Sequence, residues 1–180
     1  MRPMMCPFLA VLLVALLNAP GAVAETRPDA VVHLLRGYEW SLARVEGAAL
    51  ADDAWRAFLA IARDQRRHNY LRSRAREALT LYPRPEVRAW FAAGIQGNRG
   101  AISRRQMAAT YCRMFGKTHG AEVETRLMPL LESADPHMRV EVARCLQSTG
   151  GSRGRAAVTR FRQGAPMWQL RALEHDGSPP

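Results

Sequence analysis

The chain has 180 residues, of which 48% are hydrophobic and 23% charged. These values exclude a two-domain cofactor enzyme, which needs more chain, and global disorder, which needs fewer apolar residues. The net charge is +10 and Lys117 is the only lysine, so 25 of the 26 basic residues are arginines. Guanidinium groups suit a phosphate or carboxylate surface, but acidic residues interspersed along the chain fit a solvated face equally well.

The first 24 residues read as an address. Phe8 to Leu17 is an unbroken apolar run of ten, broken by Asn18, Pro20 and Gly21. Ala22-Val23-Ala24 then places small residues at the −3 and −1 positions of a cleavage site before Glu25. This is the layout of a secretory signal peptide. A membrane span needs about 20 apolar residues. Cys6 precedes the run and none follows it directly, so no lipid anchor is expected. Cleavage after Ala24 leaves 156 residues with net charge +9, Arg2 being lost, and implies a periplasmic or secreted protein.

From Asp29 to Leu50 one or two short helices are expected, with Val31, Val32 and Leu35 on one face. Gly37-Tyr38-Glu39-Trp40 interrupts them and Ser41 caps a restart. Beyond this cap, three segments superimpose: Leu71-Arg72 to Tyr82, Arg104-Arg105 to Phe115, and Met138-Arg139 to Thr149, at steps of 33 and 34 residues. Their apolar or small positions recur at helical spacing, and each ends at a breaker: Pro83, Gly116, Gly150. Partner helices precede them, carrying Trp55-Phe58-Leu59-Ala62, Val87-Phe91-Ile95 and Val123-Leu127-Leu130-Leu131. A fourth pair follows, with Val158-Phe161 and then Met167-Trp168-Leu170-Leu173 closing it. No run alternates as a half-buried strand does. The fold class is therefore all-α, and Leu127 and Val142 are expected in its core.

Leu127-Met128-Pro129-Leu130-Leu131, then Asp135-Pro136-x-Met138-Arg139, then Ala143-x-Cys145-Leu146 and Gly150, resemble a bacterial HEAT-like repeat. The first two units lack the Asp-Pro turn and the fourth is degenerate. The resemblance implies an α-solenoid of stacked antiparallel helix pairs, about four repeats in all. The resemblance covers roughly Asp53 to Leu173, so with the leader and the polar tail the chain divides into signal peptide (1–24), helical cap (25–52), repeat domain (53–173) and flexible tail (174–180). It also implies a binding scaffold rather than an enzyme, without a cofactor.

Motifs for chemistry are sparse. Gly150-Gly151-Ser152-Arg153-Gly154 fits the nucleophile-elbow pattern by letter, but an elbow needs a strand before the serine, and here a helix precedes it. Histidines 33, 68, 119, 137 and 175 show no metal-binding spacing. Cys112 and Cys145 are the only cysteines after the leader. Export invites a bridge between them. Parallel helix axes, however, lie about 8–10 Å apart, and a bridge needs Cα atoms within about 7 Å. Two buried thiols are the preferred expectation, a disulfide the alternative.

Arg72, Arg105 and Arg139 share one register in three successive second helices, with Arg74, Arg76 and Arg144 nearby. Two readings stand side by side. Each arginine pairs with a turn carboxylate of its own or the adjacent repeat, or the column receives an acidic ligand. The partner expected is a protein or peptide on the inner, second-helix surface. The alternative is an anionic envelope polymer or lipid headgroup. Arg63, Arg66 and Arg67 with Trp40, Trp55, Tyr70, Trp90 and Trp168 interleave charge and aromatics as nucleic-acid binders do, but export removes most nucleic acid from reach.

Overall fold

The computed structural model describes residues 27–48, 50–97 and 100–174. The leader and its cleavage site lie outside the described residues, as does the tail beyond Glu174. Among the described residues the chain is all-helical: ten α-helices, no strand. None is long and apolar enough to cross a membrane.

α1 (Pro28–Leu35) starts on a proline, whose missing N–H costs nothing in a first turn, and buries Val31, Val32, Leu34 and Leu35. Gly37 follows at φ +107°, a left-handed conformation that glycine takes without steric penalty, and it turns the chain. Ser41 then caps α2 (Leu42–Glu46), its hydroxyl accepting from the Arg44 amide at 3.3 Å. α3 (Ala54–Arg63) buries Phe58, Leu59 and Ile61 and packs against both α1 and α4 (Asn69–Ala78). α4 tightens into a 3₁₀ turn at Leu79–Leu81 just before Pro83. α5 (Pro85–Gln96) packs on α6 (Ala101–Phe115), with Val87, Trp90, Phe91 and Ile95 facing Met107, Tyr111 and Phe115 in the core.

α7 (Gly120–Leu127) does not continue through the apolar residues expected of it. Pro129 removes an amide donor, and Met128–Glu132 forms a 3₁₀ turn instead. α8 (Pro136–Thr149) is capped by Asp135, whose carboxylate accepts from the His137 amide at 3.1 Å. It is the hub of the C-terminal half, packing on α6, the 3₁₀ turn, α9 (Ser152–Gly164) and α10 (Met167–Glu174). Leu127 and Val142 are fully buried, as expected. Met167 and Trp168 depart from expectation. Gln169 and Leu173 take the buried face of α10 and leave Met167 and Trp168 64% and 44% exposed. One apolar cluster runs continuously from Val31 to Leu173.

The cysteines also depart from the preferred expectation. Cys112 and Cys145 form a disulfide, with Cα atoms 5.9 Å apart. α6 and α8 converge at their C-terminal ends because Gly116 has no side chain. A Cβ there would collide with the Thr149 side chain and the Cys112 carbonyl. Helices crossing at ordinary separation would have kept the sulfurs apart.

Candidate binding groove

Two connected concavities, about 460 and 720 Å³, run between α6, α8 and α10 and share Ala109, Glu141 and Arg144. The smaller is lined by Ile102 and Arg105 from α6, His137 and Val140 from α8, and Trp168 and Ala172 from α10. Ile102 is 66% exposed, because it sits in the first turn of α6, off the phase that buries Met107 and Tyr111. The Trp168 ring lies 5.3 Å from the His137 ring, centroid to centroid. The disulfide lies on the wall of the larger concavity, beside Arg113, Lys117 and Arg144.

The six arginines singled out in the sequence do not converge. Arg105 and Arg144 line the groove. Arg105 forms an ion pair with Asp135 in the turn entering α8, Nε to Oδ2 3.4 Å, without hydrogen-bond geometry. The carboxylate belongs to the residue that caps α8. Arg144 donates to the Ala172 carbonyl and lies 3.9 Å from Glu141, which fastens α10 to α8. Arg139, in the register of Arg105, lines a different cavity, between α8 and α9.

Two of the three on α4, Arg74 and Arg76, are spent within the fold. Arg74 donates to the Leu35 and Gly37 carbonyls at 2.7 and 2.9 Å and lies over the rings of Trp40 and Tyr70. It thereby satisfies the end of α1 and holds the cap against α4. Arg76 donates to Ser103 Oγ at 2.8 Å, tying α4 to α6. Among the described residues Arg72 donates to Asn69 of its own first turn, at 3.3 Å, and its Nε is buried without a hydrogen-bond partner.

The elbow-like motif has a packing explanation. Ser152 begins α9 directly after α8, with no strand before it. The buried carboxylate of Glu124 accepts from the Gly151 amide at 3.0 Å, at the positive end of α9. Gly154 faces the same carboxyl at van der Waals distance. Of the two glycines, Gly151 is the one that makes room for Glu124: a Cβ there would sit 3.1 Å from the carboxylate oxygen.

A second carboxylate knits α5, α6 and α7. Glu122 accepts from Tyr111 Oη and Arg126 Nε, both at 3.0 Å, and pairs with Arg88 at 3.2 Å. Desolvation alone raises the Glu122 carboxyl, but these donors together hold it below its ordinary value. Tyr111 is pushed up to about 12, by burial first and by its bond to the carboxylate second. Among the described residues no cluster of three His, Cys, Asp or Glu side chains is placed to hold a metal.

Compared with family models, with curated proteins and with solved structures, the chain finds no match. The groove therefore has to be read from its own chemistry. Sequence reasoning found Arg105 and Arg144 but passed over Ile102 and His137 and assigned Trp168 to the core. The readable signal for Trp168 was Pro166. It sets where α10 starts, its carbonyl accepting from the Gln169 and Leu170 amides, but the inward turn of a polar Gln169 had no signal in the apolar pattern.

Proposed function

We propose that the protein is a non-catalytic scaffold, an exported α-solenoid of HEAT-like helix pairs that binds a protein or peptide partner along the α6–α8–α10 groove. The observation that carries this is Ile102 and Trp168, two large exposed apolar side chains in one concavity and flanked by Arg105 and Arg144. Apolar residues gathered in a groove with a charged rim are the usual mark of a binding surface. The solenoid reading is supported by the packing of α6 on α8 and by the Arg105–Asp135 pair between successive units. Export is supported by the apolar run before Ala22-Val23-Ala24 and by a disulfide, which persists in oxidising compartments.

The test is capture from an envelope extract with wild-type protein and with the Ile102→Ser/Trp168→Ala variant. A partner retained by the wild type at about 500 mM salt and lost by the variant supports the groove, because apolar contacts resist screening. Equal retention by both sinks it. The native protein should begin at Glu25 by N-terminal sequencing; a mature form starting at Met1 rules out export by this leader.

A basic surface for anionic polymer or headgroups is the second reading, and α9 favours it. Arg153, Arg155, Arg160 and Arg162 are all exposed on this helix, which carries no acidic residue. Retention on heparin that falls steeply between about 50 and 500 mM salt, and falls further when these four are changed to Gln, supports that reading.

A further inference from the structure

Between α8, α9, the start of α10 and the 3₁₀ turn Met128–Glu132 lies a cavity of about 360 Å³. It is lined by two residues that each carry a buried polar atom without a hydrogen-bond partner among the described residues, Gln169 Oε1 and Arg139 Nε. Gln169 is wholly buried and lines the cavity. Its Nε2 donates to the Pro136 carbonyl at 3.3 Å, while its Oε1 accepts no hydrogen bond. Flipping the amide would set two acceptors against each other at Pro136, so Oε1 stays where it is. Arg139 lines the same cavity, and its Nε is buried without a hydrogen-bond partner.

The fold itself shows what such an arginine takes. Arg105 holds the equivalent register in α6 and pairs with Asp135, in the Asp-Pro turn ahead of α8. The turn ahead of α10 reads Ala165-Pro166, and both residues line the cavity. Alanine thus stands where the earlier turn has its carboxylate. Arg160 adds a second cation to the lining, against the exposed Glu132. Leu131, Ala157 and Phe161 make the wall apolar.

We propose that this cavity binds the C-terminal carboxylate of an extended peptide whose last residue is apolar. The carboxylate takes the place that Asp135 holds for Arg105, on Arg139 with support from Arg160. The N–H of the last residue donates to Gln169 Oε1, and its side chain lies against Leu131 and Phe161. A simple anion would leave the Gln169 acceptor unpaired, and an uncharged apolar ligand would leave both groups unpaired. The site is separate from the groove: Trp168 and Ala172 line that surface, whereas Gln169 lines this one. It does not depend on the groove having a partner.

The test is titration of the full chain with acetyl-Ala-Ala-Leu as free acid, with its C-terminal amide, and with acetate, followed by amide NMR shifts. The free acid should shift the Gln169 side-chain amide and backbone amides of α9. The C-terminal amide should bind at least about tenfold more weakly, and acetate should not reproduce the affinity. Arg139→Met, which keeps the apolar stem, should weaken binding to a similar degree. If that variant misfolds, Arg160→Met on the exposed face of α9 should still weaken binding several-fold. Equal binding of acid and amide, equal affinity for acetate, or shifts confined to Trp168 and Ile102 would overturn the proposal.

Discussion

Tyr111 is constrained by packing and by a hydrogen bond at once. It is fully buried on α6, and its hydroxyl donates to Glu122 at 3.0 Å. Its pKa is raised from 10.0 to about 12, so the folded state favours the protonated phenol. That contribution is complete below pH 10 and is lost as pH rises toward 12. Stability should fall over that window by on the order of 2–3 kcal/mol. Tyr111→Phe should flatten this alkaline limb and cost about 1 kcal/mol at neutral pH. Urea melts across the pH range, with tyrosinate absorbance, would check both. An unchanged alkaline limb in the variant would mean that another group carries it. Glu122 works in the opposite sense. Its carboxyl is held below 4.5, so its share of stability is present above that pH and fades as pH falls further. Leu127 is wholly buried, and Leu127→Ala should cost about 2–5 kcal/mol. That burial was legible, because the helical period alone puts Leu127 on the inner face. The Tyr111–Glu122 bond was not. It joins α6 to α7 around a turn whose geometry no periodicity encodes.

At the scale of elements, caps were the readable features. Pro28, Ser41, Pro85 and the Asp135-Pro136 pair each begin a helix where local chemistry requires it. Separations between helices were not readable, because the pattern gives a helix's buried face and not its distance from the next axis. Gly116 shows this: it reads as a helix stop, yet it also sets the approach of α6 to α8 and hence the disulfide. The glycines around α9 permit a sharper test. A Cβ on Gly150 would collide with the Leu146 carbonyl oxygen, so backbone must move. Gly150→Ala should cost about 1–3 kcal/mol. A Cβ on Gly154 meets the Glu124 carboxyl no closer than 3.4 Å, an ordinary contact, inside a helix where alanine is favoured over glycine. Gly154→Ala should therefore be neutral or stabilising, by up to about 1 kcal/mol. Thermal melts of the two variants should move apart. If both lose stability equally, Glu124 packs more tightly on α9 than its contacts indicate.

For the whole molecule, the continuous core from Val31 to Leu173 predicts that the helices melt together rather than one pair at a time. The bridge between Cys112 and Cys145 acts on that common transition. It spans 33 residues of sequence and links α6 to α8, the hub of the C-terminal half. Closing a loop of that length removes unfolded-chain entropy worth about 3–4 kcal/mol. Reduction should therefore lower the urea midpoint substantially. The transition should stay single, because the apolar contacts that couple the helices do not depend on the sulfurs. The Cys112→Ser/Cys145→Ser variant should fall further than reduction alone, since it also places hydroxyls where both side chains are buried. A reduced protein with an unchanged midpoint would mean that the bridge does not form in the native chain. A melt that splits into two steps on reduction would mean that the disulfide, and not the shared core, couples the two halves.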